Sequence, residues 1–276
     1  MSIITISRGT KSGGLEIANC LSERLGYKKL GADELIDKSA KRFNVIEEFL
    51  LDKLFKKPSL WQKFTDEYER YIIFIQCSLL EAVKEDNIIY HGYAGQFLLR
   101  GLPNVLKLRV EAPLEYRIKS VMEEFNYNKE KSVEYIKKMD KQRKHWVKTV
   151  YNEDWYNPCI YDMWFNLQNM SQDNICDIVS GAVNHKDFKS TKVSQIQSAN
   201  MLLECEVKVV LASDNKIWNS HPITVHAHNG VITLRGRTKN KELRNLIMDT
   251  ASKVKGVKDI RLNITLLSGR FSYTEK

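Results

Sequence analysis

Residues 7–14 read Ser-Arg-Gly-Thr-Lys-Ser-Gly-Gly. They stand between a β-branched run, Ile3-Ile4-Thr5-Ile6, and a helical pattern with Leu15, Ala18, Leu21 and Leu25 on one face. A glycine-rich turn between a strand and a helix aims backbone N–H groups at one spot, where the helix N-terminus adds partial positive charge. That makes an anion site suited to phosphates, formed by Arg8, Gly9, Thr10, Lys11, Ser12, Gly13 and Gly14. The full phosphate-loop pattern G-x-x-x-x-G-K-[ST] gives a lysine to the β/γ-phosphates and a hydroxyl to Mg2+. With Gly13 on the second glycine, Arg8 falls at the first, Gly14 at the lysine and Leu15 at the hydroxyl position. The pattern is therefore not met. The architecture and two nearby cations, Arg8 and Lys11, remain. A tight turn with no ligand explains the same residues, and the loop alone does not separate the two readings.

A second concentration of charge is Lys137-Lys138-Met139-Asp140-Lys141-Gln142-Arg143-Lys144. Asp140 and Arg143, three apart, share one helix face, so the acid could orient the base for phosphate contact. An exposed salt bridge of little energetic weight is the plain alternative.

These residues are positioned by an alternation of strands and helices. Residues 34–56 and 60–86 read as helical, the second with Trp61, Phe64, Tyr68, Tyr71, Ile72, Ile75 and Leu79 as an apolar stripe. Ile88–His91 and Val105–Val110 read as strands, and a helix starts at Leu114. Residues 129–150 form a basic helix, Met163–Asn166 a last strand and 171–183 a last helix. Strands separated by helices indicate an α/β fold: a parallel sheet with helices on both faces. Tyr151, Trp155, Tyr156, Tyr161 and Trp164 are expected in the core.

The pattern changes beyond the polar stretch 185–192. Residues 198–212 read as a helix with Leu203, Val207 and Val210 on one side. Ile223, Val225 and Ala227 then alternate with Thr224, His226 and His228, and Asn229-Gly230 is a hairpin turn. A strand from Val231, a helix ending at Gly256 and a strand at Ile260–Leu266 complete a small α+β domain. The expected domains are 1–188 and 196–268. His226 and His228 lack a third ligand, so no metal site is expected.

The 276 residues suffice for two modest domains, and 43% hydrophobic with 28% charged residues excludes a disordered or fibrous chain. Apolar runs are too short for a membrane span, no export signal is legible, and a cytoplasmic location is expected. Five widely spaced cysteines without a CxxC pair point to neither a disulfide framework nor zinc. The net charge of +9 is uneven: from residue 193 onward there are 13 Lys/Arg against 7 Asp/Glu. That basic end, with Arg235, Arg237, Lys239, Lys241 and Arg244, could dock an anionic ligand or lipid, or simply be solvated. No specific nucleic-acid motif is present.

The first 183 residues or so resemble the cytidylate-kinase-like family, a branch of the nucleoside monophosphate kinases. The family's Ser-Arg-x-x-Gly-Ser-Gly-Gly loop is residues 7–14, with Lys11 replacing a glycine and Leu15 replacing its following Arg/Lys. Its Tyr-Asp-Lys-Glu-Leu-Ile stretch corresponds to residues 31–36, and its Val-Gly-Arg segment to His91-Gly92-Tyr93, without the arginine. Ala112-Pro113-Leu114-Glu115-Tyr116-Arg117-Ile118, Asp140-Lys141-Gln142-Arg143 and Asp154-Trp155-Tyr156-Asn157-Pro158-Cys159-Ile160-Tyr161-Asp162 are intact counterparts of three further family segments. Residues 200–267 resemble the BON domain through Asn229-Gly230-Val231-Ile232-Thr233-Leu234-Arg235-Gly236 and Gly256-Val257.

The resemblance implies ATP and Mg2+ as cofactors and a CMP-like nucleotide as acceptor. Phosphoryl transfer needs positive charge around the migrating group. Arg117 and Arg143 would supply it as lid arginines, with Lys11, while Asp140 orients Arg143. Asp33 would contact the acceptor nucleotide or Mg2+, or else cap the helix that begins at Glu34. Asp162 and Asn166 read as structural, and His91 as a strand-end residue. Because Gly14 and Leu15 replace the usual lysine and hydroxyl, a nucleotide-binding regulator that has lost catalysis is the alternative.

Overall fold

The computed structural model describes residues 2–55, 66–220 and 222–267. The chain divides into two compact units, Met1–Ser198 and Ala199–Lys276.

The first unit is built on five parallel strands: β1 (Ile3–Arg8), β2 (Lys28–Gly31), β3 (Ile88–His91), β4 (Val105–Glu111) and β5 (Met163–Asn166), in the order β2-β3-β1-β4-β5. β1 is central and buried, as its β-branched residues demand. Ile4 and Ile6 join Leu106, Leu108, Val110 and Phe165 under two helices, α1 (Gly14–Leu25) and that at Gln172–Val183. Strand alternation turns Thr5 and Ser7 to the opposite face. Between α1 and the helix at 172–183 the chain forms α2 (Ala32–Phe43), α3 (Glu47–Phe55), α4 (Asp66–Ala82), α5 (Gly95–Leu98), α6 (Leu114–Phe125) and α7 (Lys129–Tyr151), so that last helix is α8.

The sequence pattern needs correction at several places. In α1 Leu15 is exposed and Ile17 takes its place on the buried face with Ala18 and Leu21. The helix expected over 34–56 is two helices, because Asn44 adopts a left-handed conformation (φ 49°) and closes α2 through its N–H to the Ala40 carbonyl. Of the stripe expected from residue 60, Trp61 and Phe64 lie outside the described residues, while Tyr68, Ile75 and Leu79 of α4 are buried. α6 and α7 form a helical hairpin: left-handed Asn126 ends one, and Asn128 caps the other by accepting from the Lys131 N–H at 2.9 Å.

The second unit contains most of α9 (Lys192–Ser213), then α10 (Asn215–Trp218), β6 (Ile223–His228), β7 (Val231–Thr238), α11 (Lys241–Ser252) and β8 (Asp259–Leu266). α9 starts earlier than its apolar pattern because Thr191 and Ser194 exchange side-chain-to-backbone hydrogen bonds, a capping box. Leu211, not Val210, continues the stripe of Leu203 and Val207. β6 and β7 are antiparallel about Asn229-Gly230, whose φ angles of 51° and 87° fit a two-residue hairpin turn, and β8 pairs parallel to β7.

Candidate functional site

All five parallel strands point their carboxyl ends at one edge, the edge where open α/β sheets bind ligands. The turn after β1 is the glycine loop. Gly9 donates its N–H to the Val110 carbonyl, Ser12 closes back on the Gly9 carbonyl, and α1 starts with the Ile17 N–H on the Gly13 carbonyl. Gly13 has φ 76°, and a Cβ there would lie 2.5 Å from Leu167. The left-handed φ favours glycine, and a side chain here would also have to displace the end of Leu167. Lys11, which stands at a family glycine, also has positive φ, 56°.

Three expected residues meet at Thr10. Asp140 of α7 accepts from the Thr10 N–H at 2.9 Å and from its hydroxyl at 2.7 Å. Arg117 of α6 donates from Nε to the Thr10 carbonyl at 2.7 Å and pairs with Asp140. Arg143 of α7 donates to Thr10 Oγ1 at 3.1 Å and to the Tyr93 hydroxyl at 2.7 Å. Asp140 is thus the partner of Arg117 rather than of Arg143, correcting the same-helix expectation. A tertiary neighbour offered Asp140 better geometry than its i+3 companion. Lys11 pairs with Glu124 of α6 and lies 5.3 Å above the Phe125 ring.

Two cavities flank the loop. One, of about 330 Å3, is lined by Arg8, Lys11, Gly13, Gly14, Glu16 and Glu124 among others. The second is a slot of about 20 Å3, room for about one water, bounded by Tyr93, Met139, Gln142, Arg143, Trp146 and Trp155 with Arg8. The guanidinium of Arg8 is held below its ordinary pKa, first by burial and then by the charge of Arg143.

Asp33 lies in the first turn of α2. That helix begins at Ala32 with Gly31 as its N-cap, so Asp33 does not cap it. Its charge acts on Arg8 and on His91. Burial, then Arg8 and Lys29, push His91 down to about 4, which leaves a neutral imidazole at the end of β3. Asp162 accepts from the Lys107 N–H of β4 and so ties the entry of β5 to that strand, while Asn166 accepts from the Gln168 N–H and shapes the turn after β5. Among the described residues, no three His, Cys, Asp or Glu side chains cluster as a metal site.

Sequence reasoning missed Arg109. This fully buried arginine lies in the sheet, 3.9 Å from the Trp155 ring centre. It donates to Glu111 and, at 3.0 Å, to Ser7 Oγ, which also accepts from the Trp155 indole at 3.2 Å. Trp155 and Tyr161 are core residues as expected, whereas Tyr156 and Trp164 are partly exposed. The signal was a charge between Leu108 and Val110 of a buried strand, with an acid two residues on and hence on the same face.

This geometry has counterparts. The cytidylate kinase-like family profile matches residues 3–169. The chain belongs to that family. The BON domain profile matches residues 203–268. The cytidylate kinase of Thermococcus kodakarensis is 24% identical over 184 residues, covering 66% of this chain and 88% of the relative. That of Sulfolobus acidocaldarius is 24% identical over 187 residues, covering 68% and 97%. An uncharacterized protein of Eubacterium ventriosum has the same fold, with TM-score 0.52 and 20% identity over 67% of this chain and all of that one. The first unit therefore has a nucleoside monophosphate kinase-like fold. No described helix is long and apolar enough to cross a membrane.

Proposed function

We propose that the first unit is an ATP-dependent kinase of a nucleoside monophosphate, with a CMP-like acceptor. The observation that carries this reading is the convergence of Arg117 and Arg143, from two different helices, on Thr10 of the glycine loop. Two arginines from different helices converging on one loop residue suit a reaction that gathers negative charge there.

In this reading ATP lays its phosphates along residues 8–14, where loop amides and the α1 N-terminus receive them. Arg117, Arg143 and Lys11 spread the charge of the migrating group, and Asp140 holds Arg117 against the loop. Asp33 addresses the acceptor. Mg2+ characteristically uses one or two carboxylates plus phosphate oxygens. Asp33 and Glu16 suit it, being exposed, acidic and near Arg8. When bound, the ion would neutralise phosphate charge. The slot beside Tyr93 and Trp155 has room for about one water, so admitting a base there requires α7 to move. The exposed basic residues of the second unit are assigned to an anionic ligand.

The competing reading is a nucleotide-binding regulator without turnover. Gly14 and Leu15, in place of lysine and a hydroxyl, favour it. The deciding experiment presents ATP-Mg with CMP, UMP, dCMP, AMP and GMP and separates products by chromatography. Formation of a nucleoside diphosphate supports the kinase. ATP binding without any diphosphate supports the regulator.

A further inference from the structure

Gly14 stands where phosphate loops carry lysine, and its surroundings show what fills that space. A Cβ built on Gly14 would lie 2.3 Å from Arg8 Cδ, 3.1 Å from its Nε and 3.2 Å from its Cβ. The side chain of Arg8 therefore lies across Gly14, in the volume that a side chain at position 14 would enter.

Arg8 is also the residue shared by the linings of the two cavities, the 330 Å3 space over the glycine loop and the slot against α7. Among the described residues its guanidinium makes neither a hydrogen bond nor an ion pair, unlike those of Arg109, Arg117 and Arg143, and the acids Glu16 and Asp33 act on it without contact. Its neighbour Arg143 bonds only to neutral groups, the hydroxyls of Thr10 and Tyr93. A largely enclosed guanidinium without a counter-ion, beside a second one, is poorly solvated and repelled. An oxyanion placed between the cavities would correct both defects. A guanidinium also has the fork geometry to hold two oxygens of one phosphoryl group.

We propose that Arg8 takes the part of the missing loop lysine, clamping the terminal phosphoryl group of the nucleotide where donor and acceptor sides meet. This rests on the reading that ATP binds the loop. It explains why Gly14 lacks a side chain: the cation comes from the end of β1 instead of the start of α1.

The test measures ATP and adenosine binding by calorimetry on the full chain, for wild type, Arg8→Gln and Arg8→Ala, with thermal unfolding to check the fold. Gln keeps most of the length and the hydrogen-bonding ability but not the charge. Both variants should lose about tenfold or more in ATP affinity, as for a charge-assisted phosphate contact, and keep their adenosine affinity. A relocated cation gives the second arm. Gly14→Lys alone should weaken ATP binding, since the introduced lysine and Arg8 contend for one volume; combined with Arg8→Ala, the same substitution should recover much of the loss. Unchanged ATP affinity in both Arg8 variants would overturn the proposal while leaving nucleotide binding intact. So would a double variant no better than Arg8→Ala. If wild type binds no ATP, the loop reading falls and the clamp with it. If ATP binds but no monophosphate is phosphorylated, the kinase reading fails and the Arg8 result still stands or falls on affinity.

Discussion

Replacing Asp140 by alanine strips the charge partner from Arg117 and the acceptor from two Thr10 donors at once. The side chains of the pair are only 11% and 16% exposed, so Arg117 cannot recover its lost partner from bulk water without local opening. Removing one member of a buried pair costs about 3–5 kcal/mol, against about 0–1 kcal/mol for an exposed one. Partial exposure places this pair near the lower buried figure, about 3 kcal/mol. For a unit of this size, each kcal/mol shifts Tm by about 2–4 °C, so a fall of about 6–12 °C is expected. Tryptophan fluorescence reports it selectively, because Trp61, Trp146, Trp155 and Trp164 precede the unit boundary and only Trp218 follows it. Asp140→Asn, which still accepts from the Thr10 N–H, should fall less. Saturating ATP should narrow the gap to wild type, since a phosphate oxyanion supplies the negative charge that Arg117 has lost. A fall below about 2 °C would place the pair with ordinary surface bridges and refute the argument.

Gly13→Val should abolish ATP binding by calorimetry, because valine tolerates neither φ 76° nor the 2.5 Å approach of Leu167. Arg143→Ala should lower kcat about a hundredfold or more with a much smaller change in ATP affinity; equal losses in both would make Arg143 a binding residue only. His91 titrates near 4 when folded and near 6.5 otherwise, so between those values the unfolded chain binds a proton that the folded chain excludes. Stability is fully present above the upper value and is lost as pH falls through the window. His91→Gln should flatten that acid-side slope in Tm measured from pH 4.5 to 7. A chain ending at Thr191, before α9, should stay folded and keep the thermal shift that ATP gives the whole protein.

What the sequence revealed and what it hid divide along local and tertiary lines. β1, β3, β4 and β5 were legible because β-branched or aromatic runs end at turn residues, and the 129–150 helix because it is long and lacks glycine and proline. β2 gave almost no signal: only Leu30 of Lys-Lys-Leu-Gly is buried. The break at Asn44 was overlooked because no glycine or proline marks it, although asparagine is a residue that readily takes the left-handed conformation ending α2. At the site, the loop could be read from its glycines and the lid arginines from intact family segments. Their wiring could not. Asp140 is three residues from Arg143 in sequence, and helix geometry favours that pairing, yet packing of α6 against α7 brings Arg117 to it instead. Arg109 was hidden because its partners come from β1, β4 and the 155–164 turn, which no periodicity connects.

The same wiring bears on whether the altered loop can do chemistry. Counting residue types, the loop region holds several cations, but most are already neutralised: Lys11 by Glu124, Arg117 by Asp140 and Arg109 by Glu111. Each pairing removes most of that cation's field at a distance. Among the described residues, Arg8 and Arg143 are the site cations with no acid in contact; Glu16 and Asp33 act on Arg8 only from farther away, and Arg143 lowers its pKa. These two cations line the cavities, Arg8 both of them and Arg143 the slot, whereas a lysine at position 14 would have stood on the first turn of α1. Two like charges are held near each other there, Arg143 by the hydroxyls of Thr10 and Tyr93 and Arg8 by the fold, an arrangement that favours an anionic group between them. On the proposed Arg8 clamp, loss of the usual lysine moves the focus of positive charge without removing it. For that reason the identity of residue 14 is a weaker guide to activity in this chain than the state of Arg8 and Arg143.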